Sequence, residues 1–159
     1  MIVVVLTTIM MTVPATATVK GRPHIKVNLV TTSAEVGDGY ALFEVTFDVT
    51  AKNGNILIQS ATSTDRTLGG VVFNIKGCLN ATYASVLVAD TPQTTDGDYV
   101  VARNTTETFR LLVFIPNQDG CEFVGIVLKF IGWESVNGAF AHQVRPAHKW
   151  TTPWVWLGT

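Results

Sequence analysis

Two cysteines, Cys78 and Cys121, are the residues whose chemistry is easiest to read from this sequence. Two thiolates without a CxxC spacing are too few for a structural metal site, so the pair predicts a disulfide. A bond between them would close a loop of about 44 residues and stabilise the fold by roughly 4 kcal/mol, because it restricts the unfolded chain. The alternative is a pair of buried free thiols, which behave as small apolar side chains.

Residue patterns for catalysis and for metal binding are not found. The histidines are His24, His142 and His148, and there is no HExxH motif and no close histidine pair with a carboxylate. A GxSxG nucleophile motif is also missing. We therefore predict no catalytic residue, no metal site, no cofactor and no enzymatic activity.

Three tryptophans near the end of the chain form the most distinctive local pattern. Trp150, Trp154 and Trp156 fall on one side of the last predicted strand, together with Thr152. Three rings on one side of a strand could form a flat platform for sugar rings. The same pattern is typical of tryptophans that pack in a core or at a protein interface, where a large apolar ring is buried. Both interpretations stay open at this point.

Two sequons, Asn80-Ala-Thr82 and Asn104-Thr-Thr106, would accept N-linked glycans if the chain passes a glycosylating compartment. We take Asn80 and Asn104 as predicted glycosylation sites. A disulfide and a signal-like beginning of the chain agree with them, since all three features belong to proteins of oxidising compartments. We therefore expect an extracellular or cell-surface location.

The overall composition indicates one domain with a large core and a surface that is poor in charge. The chain has 159 residues, 47 % apolar content and a net charge of −1, and only 14 % of its residues are charged. The usual charged share is about 25 %. Without a basic run, binding of nucleic acid is not expected. A nearly neutral surface suits a protein that is covered by other copies of itself or by glycans.

The elements that position these residues are predicted to be short strands, because alternating and β-branched runs are separated by turn residues every 8–12 positions. Residues 123–133 are apolar on both faces, which predicts a central strand paired with the preceding strand 106–115 across a turn at 116–120. Residues 33–39 are expected to form a polar turn, and 134–148 a looser connection. The predicted strands are 24–32, 40–50, 56–59, 71–76, 82–89, 99–102, 106–115, 123–133 and 150–157. The fold class is all-β, an Ig-like β-sandwich over residues 21–159 with an extended N-terminal strand in residues 1–20.

Residues 2–19 have no charged side chain and are dominated by β-branched residues, which favour an extended conformation. One interpretation is a β-strand that packs in its own sandwich or in that of a neighbour. A second is a secretory signal peptide ending near Ala15-Thr16-Ala17, although no Lys or Arg precedes the apolar run. A third is a membrane anchor, which the many threonines disfavour. As a strand, the segment would present one alternating set to a neighbouring subunit: Val3, Val5, Ile9, Met11 and Val13.

The layout of an uncharged β-prone segment over residues 2–13, a hinge at Gly21-Arg22-Pro23 and a sandwich of about 130 residues resembles pilin-like fibre subunits that assemble by donor-strand exchange. The body, over residues 42–50 and 106–133, is also similar to Ig-like domains of microbial surface proteins. The resemblance implies that the N-terminal strand of one subunit completes the groove of the next. It implies a homopolymer that meets a membrane only during export.

Three hypotheses on function follow from these features. The first is a structural subunit of an extracellular filament or surface assembly, with identical subunits as its partners. The second is a carbohydrate-binding or adhesive module that uses the three tryptophans, with glycans as its partners. The third is a viral coat or decoration protein. The absence of a basic arm in the sequence argues against direct genome contact in the third case.

Overall fold

The structure is a computed structural model that describes residues 21–78, 80–136 and 141–157. The predicted N-terminal strand and its interface residues Val3, Val5, Ile9, Met11 and Val13 lie outside the described residues. Twelve strands and one short 3-10 helix, Arg66–Leu68, form the described part. The strands are β1 His24–Gly37, β2 Tyr40–Lys52, β3 Ile56–Ile58, β4 Thr62–Ser63, β5 Val71–Lys76, β6 Ala84–Ala89, β7 Tyr99–Val101, β8 Thr106–Pro116, β9 Phe123–Ser135, β10 Ala141–Val144, β11 Trp150–Thr151 and β12 Val155–Trp156. They form two packed sheets, so the prediction of an all-β sandwich is confirmed.

The smaller sheet contains four strands in the order β1-β2-β8-β6, all of them antiparallel. Its inner face follows the alternation in the sequence, because Phe43, Phe47 and Val113 are buried while Glu44 and Arg110 lie on the outer side. The predicted polar turn over residues 33–39 is wrong. Residues 33–37 continue β1 and pair with residues 40–44, and the turn is only Asp38-Gly39, where Gly39 has a φ of 79°. The polar residues there belong to the outer face of an edge strand.

The larger sheet has eight strands and is built around β9. One edge of β9 pairs with β5 and β3, and the other edge pairs with β10, β11 and β12. The central position predicted for residues 123–133 is therefore correct. The predicted pairing of this strand with residues 106–115 is wrong, because β8 lies in the smaller sheet. Residues 117–122 cross from one sheet to the other instead of closing a hairpin.

A β-bulge in β9 changes which side chains reach the core. Val72 of β5 pairs with Phe130 but Phe73 pairs with Leu128, so Lys129 is an extra residue. Beyond the bulge the alternation is reversed. Ile131 and Trp133 join Val124, Ile126 and Leu128 in the core, whereas the sequence-based assignment put them on the opposite face. Phe130 is outside the core cluster, with the Arg66 guanidinium 4.2 Å from its ring centroid.

The C-terminal part of the chain forms an interrupted edge strand of the larger sheet. The connection predicted over residues 134–148 contains β10, and the last predicted strand is split into β11 and β12 around Pro153. At the interruption Thr152 is buried, and its backbone N–H donates to the Ile126 carbonyl at 3.0 Å. Its hydroxyl accepts a hydrogen bond from the Ile126 N–H at 2.9 Å. The side chain thus replaces a ladder bond where proline prevents regular pairing.

The two ends of the sandwich differ, and we name them by where the chain begins. At the proximal end His24 starts β1 opposite Lys52, and Ile56 pairs with Ser135. At the distal end Tyr40 pairs with Pro116, and Phe123 starts β9 after the crossing segment. Residue 21 therefore lies at the proximal end. A strand of the length of β2 spans about 40 Å, since each residue adds about 3.3 Å.

Candidate ligand-binding face on the larger sheet

The three tryptophans predicted as one platform do not share a surface. Trp150 is only 5 % exposed and packs on Phe47, with ring centroids 5.8 Å apart. Its Cα partner on β9 is Leu128, a core residue. The platform prediction is therefore wrong for Trp150, which packs in the core because the break at Pro153 reverses the alternation between β11 and β12. Trp154 and Trp156 remain exposed.

Phe123 takes the place of Trp150 in the exposed cluster. It is the cross-strand partner of Trp156, and its ring stacks on Trp154 with centroids 5.3 Å apart and planes inclined by 24°. The exposed fractions are 50 % for Phe123, 43 % for Trp154 and 59 % for Trp156. We call these three residues the aromatic patch. Sequence reasoning missed Phe123, because only the pairing of β12 with the first residues of β9 brings it beside the tryptophans.

Two glycines provide the surface on which the Trp154 indole lies. A Cβ added at Gly125 would be 3.2–3.3 Å from three atoms of the indole, so the ring lies closely over the backbone of β9. A Cβ at Gly77 would lie 2.9 Å from the far edge of the same ring and would also collide with the Phe123 carbonyl oxygen. Gly77 has a φ of 78°, which favours glycine. Gly125 points away from the core, since Val124 and Ile126 point inward, so the indole covers the outer face of the larger sheet.

Cationic side chains lie on the same side of the larger sheet. Lys76 is exposed and is the cross-strand partner of Gly125, directly beside the Trp154 ring. Lys129, Arg145 and Lys149 line a cleft of about 480 Å³ together with His148. We call Lys76, Lys129, Arg145 and Lys149 the basic patch. Partial burial lowers the pKa of Lys129, and the positive charges of the other three residues lower it further.

The predicted disulfide is present and lies at the distal end. Cys78 and Cys121 are bonded, with Cα atoms 4.4 Å apart. Cys78 follows the end of β5 in the larger sheet, and Cys121 belongs to the segment that crosses between the sheets and is buried. The bond therefore ties the crossing segment to the edge of the aromatic patch, one residue after Gly77.

Both predicted glycosylation sites are exposed turns. Asn80 has a φ of 56° and lies at the distal end, near the disulfide. Asn104 has a φ of 62° and lies at the proximal end, where its backbone N–H donates to the Ala51 carbonyl at 2.9 Å. Both side chains are accessible to solvent. Their modification stays a prediction.

A second exposed apolar surface occupies the distal half of the outer face of the smaller sheet. We call its five residues the apolar patch, and they are Tyr40, Leu42, Val86, Leu112 and Phe114. Tyr40 stacks on Phe114 with ring centroids 5.0 Å apart, while Val86 is 49 % and Phe114 39 % exposed. Towards the proximal end the same face becomes polar, with a hydrogen bond of 2.7 Å from the Thr108 hydroxyl to Asp48.

Within the described ranges, no group of three or more His, Cys, Asp or Glu side chains is placed to hold a metal ion. No helix found there is long and apolar enough to span a membrane. The clearest perturbed carboxyl is Asp65, whose pKa is lowered by hydrogen bonds from the backbone N–H and the hydroxyl of Thr67, which cap the 3-10 helix. This is a local capping role.

Comparison of the chain with family models, with curated proteins and with solved structures found no match in any of the three. Its function is therefore inferred from the surfaces described above.

Proposed function

We propose that this protein is a structural subunit of an extracellular filament or surface assembly, and that residues 2–13 of one subunit pack on the apolar patch of the next. One observation carries the proposal. The chain enters the sandwich at the proximal end, whereas the apolar patch lies at the distal end. A contact between opposite ends of identical subunits is heterologous and does not close, so it generates a linear polymer.

The edges of the two sheets favour one position for an added strand. Most edges bear features that block pairing: β1 contains Lys26, Glu35 and a bulge at Val30, and the C-terminal edge is interrupted by Pro146 and Pro153. The β7 edge is only three residues long. In contrast, β6 has six residues with neither a charge nor a proline, and it pairs with β8 on one side only.

The neighbourhood of β6 matches the composition of the N-terminal segment. Val86 of β6 belongs to the apolar patch, and its neighbour Ala84 pairs with Phe114 at the distal end. Near the middle of β6 the Leu87 carbonyl already accepts a hydrogen bond of 2.8 Å from the Tyr99 hydroxyl. An added strand would therefore pair with the distal half of β6. Its alternate apolar side chains would cover Val86 and Phe114, and its backbone would supply the hydrogen bonds.

The position of β1 favours a second subunit as the source of this strand. β1 and β6 are at opposite edges of the smaller sheet, about 14 Å apart across three strand spacings. The N-terminal segment thus starts at the corner of the sheet diagonally opposite to the patch. The disulfide, the exposed sequons and the low net charge of −1 support an extracellular setting for such an assembly.

The test compares substitutions on the two sides of the proposed contact in the full-length, disulfide-bonded protein. Val5→Asp with Ile9→Asp, and separately Val86→Lys with Phe114→Lys, are expected to convert polymers into monomers in electron micrographs and in sedimentation velocity. Matched controls place the same charges at Thr8 and Thr12, and at Thr108 on the polar half of the patch-bearing face. Polymers of unchanged stability after deletion of residues 1–19 would refute the proposal. A monomer that melts at a lower temperature after the deletion would show instead that the segment packs in its own sandwich.

A further inference from the structure

We propose that the outer face of the larger sheet binds an acidic oligosaccharide, with sugar rings on the aromatic patch and their anionic groups on the basic patch. This surface is distinct from the apolar patch, which lies on the other sheet. The site therefore does not depend on polymerisation.

The aromatic patch has the shape that a sugar ring requires. Because Gly125 and Gly77 let the Trp154 indole lie over the backbone, one ring face is held by the protein and the ring remains 43 % exposed. The face of an indole carries partial negative charge, and the axial C–H groups of a pyranose are weakly positive and lie in one plane. Phe123 and Trp156 extend the exposed aromatic surface beside Trp154.

The size of the patch favours a small ligand over a protein partner. An aromatic side chain has about 150–250 Å² of surface, so the three rings at their observed exposures leave roughly 300 Å² accessible. A stable protein interface needs about 800 Å² on each partner. The patch is therefore too small for a protein interface by itself, but it is large enough for a few sugar rings.

The charges beside the rings specify an anionic ligand. Lys76 lies next to Trp154 across the ladder from Gly125, and it acts electrostatically on Lys129, as do Arg145 and Lys149. Four cations close enough to influence one another stand out in a chain with a net charge of −1. They repel one another until an anion is bound, so carboxylate or sulfate groups of a ligand would relieve the repulsion. We choose a glycan over a nucleic acid because the disulfide and the exposed sequons indicate an extracellular protein.

The experiment measures binding of defined probes to the full-length, disulfide-bonded protein by calorimetry and tryptophan fluorescence. The probes are an oligogalacturonate, a heparin-derived oligosaccharide, the neutral cellohexaose and an oligothymidylate. At least one acidic oligosaccharide is expected to bind more tightly than cellohexaose and oligothymidylate. Trp154→Ala and Trp156→Ala are each expected to weaken this binding about tenfold, while Trp154→Phe retains most of it. Lys76→Ala with Lys149→Ala should weaken it and reduce its salt dependence.

Control variants separate the site from general effects on the fold. Phe114→Ala removes an exposed ring from the other sheet and is expected to leave binding unchanged. Gly125→Ala adds a methyl group beneath the indole and is expected to weaken binding while urea unfolding still shows a folded domain. The proposal is overturned if neither acidic oligosaccharide binds, if oligothymidylate binds more tightly, or if Trp154→Ala leaves binding intact. It is also overturned if Trp154→Ala disrupts self-association and no oligosaccharide binds.

Discussion

Removal of the Cys78–Cys121 bond by the double substitution Cys78→Ala and Cys121→Ala is expected to destabilise the domain by about 4 kcal/mol. The sequence separation of the two residues is 43, and closing a loop of this size costs the unfolded chain about 13 cal/mol/K of entropy. At 25 °C this entropy corresponds to about 4 kcal/mol. Small domains are stable by only about 5–15 kcal/mol, so the loss is large. It should lie in the unfolded state and not in the contacts of the folded sandwich.

The assay is equilibrium urea unfolding followed by circular dichroism. With an m-value of about 2 kcal/mol/M, the expected loss moves the midpoint down by about 2 M. The matched control is the unsubstituted protein with its disulfide reduced, which should unfold at nearly the same urea concentration as the double variant. A loss below about 1 kcal/mol would refute the reasoning, because it would mean that the reduced unfolded chain is already as restricted as the bonded one.

Three further predictions concern single side chains. Tyr99→Phe removes the donor to a buried carbonyl of β6, which is expected to cost about 1–3 kcal/mol in urea unfolding, and an unchanged midpoint would contradict this. Because the pKa of Asp65 is lowered in the folded state, its stabilising effect should be complete above the usual carboxyl range and should disappear as the pH falls through the lowered pKa. The stability difference from Asp65→Asn should therefore shrink in acid, and a difference that grows there would contradict the assignment. In a glycosylating host, Asn80→Gln and Asn104→Gln should each reduce the mass by one glycan in intact mass spectrometry, and an unchanged mass would exclude that site.

Much of the strand content follows from the sequence, because local alternation is directly visible in it. The predicted strand 71–76 coincides with β5, and the predicted strand 40–50 lies within β2. In both segments apolar side chains alternate with polar ones or fill a short buried run, and turn residues follow. The disulfide was also predictable, since the chain has only two cysteines and no second pairing is possible within it.

The errors at the candidate site arise from contacts between distant segments. Trp150 and Trp154 are in phase along the chain, but the break at Pro153 sends Trp150 into the core. The bulge at Lys129 likewise moves Ile131 into the core, although local alternation puts it on the other face. Alternation predicts faces only while the pairing register is regular, and a single extra residue reverses it.

The sequence by itself determined that this protein is an all-β domain with one disulfide, two candidate glycosylation turns and an uncharged N-terminal segment. These properties depend on residue type and on spacings of a few residues, which are local. Only the tertiary structure decided that β8 and β9 belong to different sheets, that Phe123 joins Trp154 and Trp156, and that Lys76 lies beside the indole. Strand partners are chosen by burial of both sheet faces across the whole chain, and no short window of sequence contains that information.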